Sequence, residues 1–108
     1  MTKPRGTTGE TKMKILAIVC HDCERGRHPY GYGIWQSLKG NFHIYLDVND
    51  VRNVYHHLKE LQSIGALVRE EGTESGSNKY VYRLTEAGMD LRHRFEPYMS
   101  IVRRDVVS

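Results

Sequence analysis

The sequence predicts a small α+β domain, mainly helical, in which three helices precede a two-stranded antiparallel hairpin and one closing helix. Three observations carry that prediction. Apolar residues over 51–64 recur at steps of three and four, the spacing of one helical face. Tyr80, Tyr82 and Leu84 alternate with Val81 and Arg83, the period of a strand, beyond a turn-rich stretch over 72–78. Thr85 followed by Glu86 then opens another helical pattern with a capping hydroxyl and a favourable first-turn charge. A length of 108 residues suits one domain, and 39% hydrophobic against 27% charged residues excludes compositional disorder.

Residues 1–10 mix Thr, Gly, Pro, Lys and Arg without apolar periodicity and read as a flexible arm, with order expected from about Thr11. Met13, Leu16, Cys20 and Cys23, widened by Ile15, Ile18 and Val19, mark a buried first helix. A loop over 25–29 follows, then a short second helix on Tyr30, Ile34, Trp35 and Leu38 that is expected to end at Gly40. Asp47 and Asn49 are candidate caps of the third helix, whose apolar positions are Val51, Val54, Tyr55, Leu58, Leu61 and Ile64. Gly65 supplies its left-handed stop. Strands over 66–69 and 79–84 form the hairpin. In the last helix Leu91, Phe95, Tyr98, Val102 and Val106 form a stripe, and Pro97 is expected to kink or split it. The division is thus an arm (1–10), a domain (11–84) and a C-terminal dimerisation helix (85–108).

Sixteen basic against thirteen acidic residues leave a net charge of +3, which permits a nucleic-acid partner without demonstrating one. The excess sits at the start of the chain, where Lys3, Arg5, Lys12 and Lys14 face Glu10 alone. The longest apolar run, residues 15–20, is far below the roughly 20 residues a membrane helix needs. No secretory leader pattern is present, and two cysteines make no disulfide framework, so a reducing cytoplasm is expected. No phosphate-cradling glycine loop, Gly-x-Ser-x-Gly or carboxylate cluster appears; the expectation is a protein that is not an enzyme and uses no cofactor.

The order of elements is that of a winged helix-turn-helix domain, and the residues resemble the PadR-like family of transcriptional regulators. The resemblance spans about residues 13–88 and rests on three ordered motifs. They are Tyr30-Gly31-Tyr32-Gly33-Ile34-Trp35-Gln36-Ser37-Leu38; Val54-Tyr55 with Leu58, Leu61, Gly65 and Leu67; and Tyr80-Val81-Tyr82-Arg83-Leu84-Thr85-Glu86-Ala87-Gly88. Two departures are visible: the stretch 40–50 is longer than usual, and Val51-Arg52 stands where the family commonly has Pro-Gly. The resemblance implies a homodimeric repressor of double-stranded DNA, with the third helix in the major groove, the hairpin as a wing, and the last helix contributing to the dimer.

Within that frame Asn49, Arg52, Asn53, His56 and Lys59 on the third helix, with Lys79 on the wing, are the candidate DNA contacts. Arg suits guanine and Asn suits adenine in the major groove, whereas Asp50 and Glu60 oppose a phosphate. Leu91, Phe95, Tyr98 and Val102 are the candidate dimer contacts, the alternative being docking of the last helix on the first. Cys20 and Cys23 with His21 and His28 have metal-ligand chemistry, but one pair on a helical face reads as core packing, and no metal is assigned. His56 and His57 point about 100° apart on a helix and read as a solvated pair. Some members of the family bind flat drugs between aromatic residues at the dimer interface; here the single Trp35 reads as core, and a small-molecule effector is left open. The competing functions are a protein-interaction module without specific DNA binding and a thiol- or metal-responsive regulator.

Overall fold

Residues 15–20 are buried without a break, from Ile15 at 0% to Cys20 at 2% exposed, which puts helix α1 (Arg5–Glu24) at the centre of the molecule. A helix apolar on all sides must be covered on all sides, and α1 meets the three longer helices that follow it, as well as the hairpin. The computed structural model describes residues 5–26, 29–44, 47–71 and 80–106. Because α1 starts at Arg5, it takes in part of the stretch expected to be a flexible arm, ahead of the start expected near Thr11. Adding residues to a nucleated helix costs little, so the buried turns carry Thr7, Thr8 and Gly9 along despite their modest propensities.

Tyr30 pairs with Val81 as a single bridge, and Tyr82 N–H donates to the Pro29 carbonyl at 3.0 Å. This contact anchors the start of α2 (Gly31–Phe42), which buries Ile34, Trp35 and Leu38. The helix runs through Gly40, its expected stop, because Phe42 two residues on still packs against the core. It closes on His43, which takes the left-handed conformation at φ 57°.

Asp47 then caps a 3-10 turn (Val48–Asp50) that leads directly into α3 (Val51–Ser63). Its carboxylate accepts from Asn49 N–H at 2.9 Å, while Asp50 accepts from Asp47 N–H at 3.2 Å, a reciprocal capping box. Of the two candidate caps, Asp47 fills the role. Asn49 lies on the 3-10 turn, not in α3. At the other end Ala66 N–H donates to Leu61 and Gly65 N–H to Gln62, with Gly65 at φ 84°, the paired bonds of a Schellman ending.

Strands β1 (Leu67–Glu71) and β2 (Tyr80–Leu84) are antiparallel, from Leu67 opposite Leu84 to Glu71 opposite Tyr80. Thr85 caps the short α4 (Glu86–Met89), and α5 (Arg92–Val106) returns along α1. The closing helix therefore splits at Asp90 and Leu91. Pro97, the expected breaker, lies inside α5. Both Pro97 and His93, whose carbonyl it leaves without a helical donor, are exposed, so the missing bond falls on the solvent side of the helix, where its cost is least.

Candidate nucleic-acid interface

The buried side of α3 carries Val54, His57, Leu58 and Leu61, which turns Asn49, Arg52, Asn53, His56 and Lys59 outward. All five are exposed. Spacings of three and four residues bring them onto adjoining rows of the same outer surface. Lys79, the sixth candidate contact, lies outside the described residues, as does the whole stretch 72–79.

The two carboxylates that would oppose a phosphate are both occupied by internal partners. Asp50 closes the capping box with one oxygen, and its other lies 3.4 Å from Asn53 Nδ2. Glu60 forms an ion pair with Lys12 of α1 at 2.7 Å and lies 3.2 Å from His56 Nε2. The hydrogen bond from Lys12 holds the Glu60 carboxyl below its ordinary range. The outer face of α3 is thus less repulsive to an anion than its residue types suggest, and its two acids orient Asn53 and His56.

Other sequence-marked residues fall in several places. His57 is 7% exposed and packs inward, so His56 and His57 are not a solvated pair. Burial, reinforced by the nearby Lys12 charge, lowers the His57 pKa below its ordinary value. Cys20 is buried and Cys23 half-buried, both on α1 and neither in a disulfide. Trp35, 3% exposed, belongs to the core. Phe95 and Val102 are also in the core of one chain, at 0% and 6% exposed, through packing of α5 along α1. Leu91 and Tyr98 remain half-buried at its edge. Tyr98 donates to Glu10 at 3.2 Å and Arg92 pairs with Glu24 at 3.2 Å, holding α5 to both ends of α1. Burial and then the Glu10 carboxylate raise the Tyr98 pKa.

Sequence reasoning missed Tyr55 and Arg69. Tyr55 belongs by spacing to the apolar stripe, yet it is 44% exposed beside the polar face of α3. Arg69 of β1 reaches the same side, its guanidinium 4.3 Å over the Tyr80 ring. The register pairing Arg69 with Tyr82 carries this signal, and it exists only once the hairpin is assembled.

Among the described residues no helix is long and apolar enough to cross a membrane. The family model described as the transcriptional regulator PadR-like family matches residues 23–94, more than half of the chain. No curated protein and no solved structure matches the chain.

Proposed function

We infer that this chain, which belongs to the PadR-like family of transcriptional regulators, reads a specific operator through the exposed face of the 3-10 turn and the first two turns of α3. It acts as a homodimeric repressor on an inverted repeat, and a cytoplasmic location goes with that role. One observation carries the reading. Asn49, Arg52, Asn53 and His56 are exposed together, while the neighbouring acids Asp50 and Glu60 are engaged in internal bonds. Arg and Asn are the side chains that match guanine and adenine edges in the major groove, and a helix-turn-helix presents them from the start of its second helix.

A homodimer spaces two such faces about one helical turn of DNA apart, roughly 34 Å, which is why an inverted repeat is the matching site. Leu91 and Tyr98 at the edge of α5 support a dimer surface there. Phe95 and Val102 join it only where α5 exchanges between chains, since each chain already buries them.

The test is binding to the DNA upstream of the protein's own coding sequence, compared with scrambled duplex across a salt series. Wild type is expected to prefer the upstream duplex and to lose affinity steeply with salt. Replacing Arg52 and Asn53 together by Ala is expected to remove most of that preference, at about 1–3 kcal/mol for each bidentate pairing with a base. Full preference in a folded double variant would move the reading face off α3.

A further inference from the structure

The cysteine pair of α1 takes no part in the DNA-reading face. Cys20 and Cys23 both line a cavity of about 270 Å³ whose other walls are Glu24, Arg83 and Leu84 at the end of β2, and Met89 at the end of α4. The two thiols differ in access. Cys20 is 2% exposed, whereas Cys23 is half-buried and Met89, on the same cavity, is 42% exposed. A small solute entering from solvent therefore reaches Cys23 more readily than Cys20.

The spacing of the pair suits a bond between them. Residues three apart on an α-helix have Cα atoms about 5 Å apart, inside the span of roughly 4.4–6.8 Å that a disulfide bridges. Their Cβ atoms, about 5–6 Å apart, must close by about 1–2 Å. A helix interior resists that closure, but Cys23 is the last residue but one of α1. Beyond it Arg25 N–H donates to Asp22 and Gly26 N–H to Cys23, both at 3.0 Å, so the chain already tightens to three-residue spacing. It then turns away at Gly26 with φ 78°. Glu24 adds a base: its Oε2 lies 4.0 Å from Cys20 Sγ and accepts from Arg92, the first residue of α5, at 3.2 Å.

We propose that Cys20 and Cys23 are an oxidation site for a small hydroperoxide. The Cys23 sulfur attacks the peroxide; the O–O bond breaks, an S–O bond forms to give a sulfenic acid, and the thiol proton leaves on the alcohol. Cys20 then attacks the Cys23 sulfur; the S–S bond forms, the S–O bond breaks, and the Cys20 proton passes through Glu24 to the departing hydroxide, giving water. The two sulfurs together lose the two electrons that the peroxide gains. A cellular dithiol reverses the step by exchange and becomes the disulfide itself, and the strain of closure within a helix makes the bond readily reduced. The new bond draws Cys23 toward Cys20 and removes the thiol hydrogen from the Glu24 contact. It thereby loosens the hold of Glu24 on Arg92 at the start of α5.

tert-Butyl hydroperoxide is the probe, and cleavage after Lys14 and Arg25 leaves both cysteines in one peptide, residues 15–25. Native protein is expected to yield that peptide two hydrogens lighter, closed to iodoacetamide and restored by dithiothreitol, while the chain stays single on a non-reducing gel. Cys20→Ala, checked for an unchanged circular dichroism melt, is expected to stop at a sulfenic acid on Cys23 that dimedone traps. Cys23→Ser is expected to leave Cys20 as a thiol. Glu24→Gln is expected to slow disulfide closure several-fold while the sulfenic acid forms at the wild-type rate. Hydrogen exchange of the amides that open α5 should quicken in the oxidised chain.

Both cysteines still reduced after treatment, or a disulfide formed between chains, overturns the site. Oxidation no faster in the native protein than in guanidinium overturns it as well, because the fold would then contribute nothing. Unchanged exchange in a fully oxidised chain overturns the link to α5. None of these measurements involves DNA, so the cysteine site and the α3 reading stand or fall separately.

Discussion

His57, 7% exposed, lies on the buried side of α3, and its surroundings all act on its charge. Burial is the largest influence and lowers its pKa, Lys12 adds to that, Glu60 opposes it, and His56 lowers it further. A histidine held neutral in the folded state binds its proton more readily when unfolded. Its contribution is therefore complete above the ordinary value near 6.5 and is lost as the pH falls from there through the folded pKa. Unfolding midpoints measured from pH 8 to pH 5 are expected to fall across that window in wild type and to fall less in His57→Leu. The difference in slope should not exceed about 1.4 kcal/mol per pH unit. Equal slopes would mean that His57 is free to charge in place. Two adjacent histidines on a polar-looking helix give no sign of this asymmetry, because a neutral imidazole packs like any flat ring. Tyr55 shows the converse: apolar by spacing, it sits at the rim of the buried face, and only the position of the hairpin decides that its ring stays outside.

At the scale of elements, Thr85 joins three of them. Its hydroxyl oxygen accepts from Gly88 N–H at 3.0 Å to start α4, and the hydroxyl lies 2.6 Å from the Gly65 carbonyl that ends the α3 turn. Its N–H also donates to the Ala66 carbonyl at 3.1 Å, beside β1. Thr85→Ala is expected to cost about 1–2 kcal/mol, the upper part of the range for a helix cap, with Thr85→Ser recovering most of it; urea midpoints measure both. This cap was legible, as were Asp47, the Gly65 stop and the strand alternation, since each is a chemical requirement met within a few residues. The break at Asp90 and Leu91 was not. It aligns Phe95, Met99 and Val102 with α1, and that alignment depends on where α1 lies. For the same reason Met99, 0% exposed, takes a place in the buried stripe, while Tyr98 turns toward Glu10.

For the whole molecule, the order of elements followed from local pattern, but which apolar surface stays open did not, because α5 covers residues that the stripe alone leaves bare. A dimer through α5 is expected to elute at twice the 12.5 kDa chain mass and to dissociate on dilution. Leu91→Glu, at the half-buried edge, should shift that equilibrium toward monomer while keeping the helical circular dichroism signal. A mass that stays monomeric at every concentration would limit the protein to single half-sites. Trp35, the only tryptophan, is buried in the core beside Tyr32. Its ring centroid is 5.1 Å from that of Tyr32, itself half exposed, and the Lys39 ammonium is 4.4 Å above it. The molecule therefore carries one indole among its aromatic fluorophores, shielded from bulk solvent and in contact with a half-exposed phenol, an optical probe placed by the fold itself.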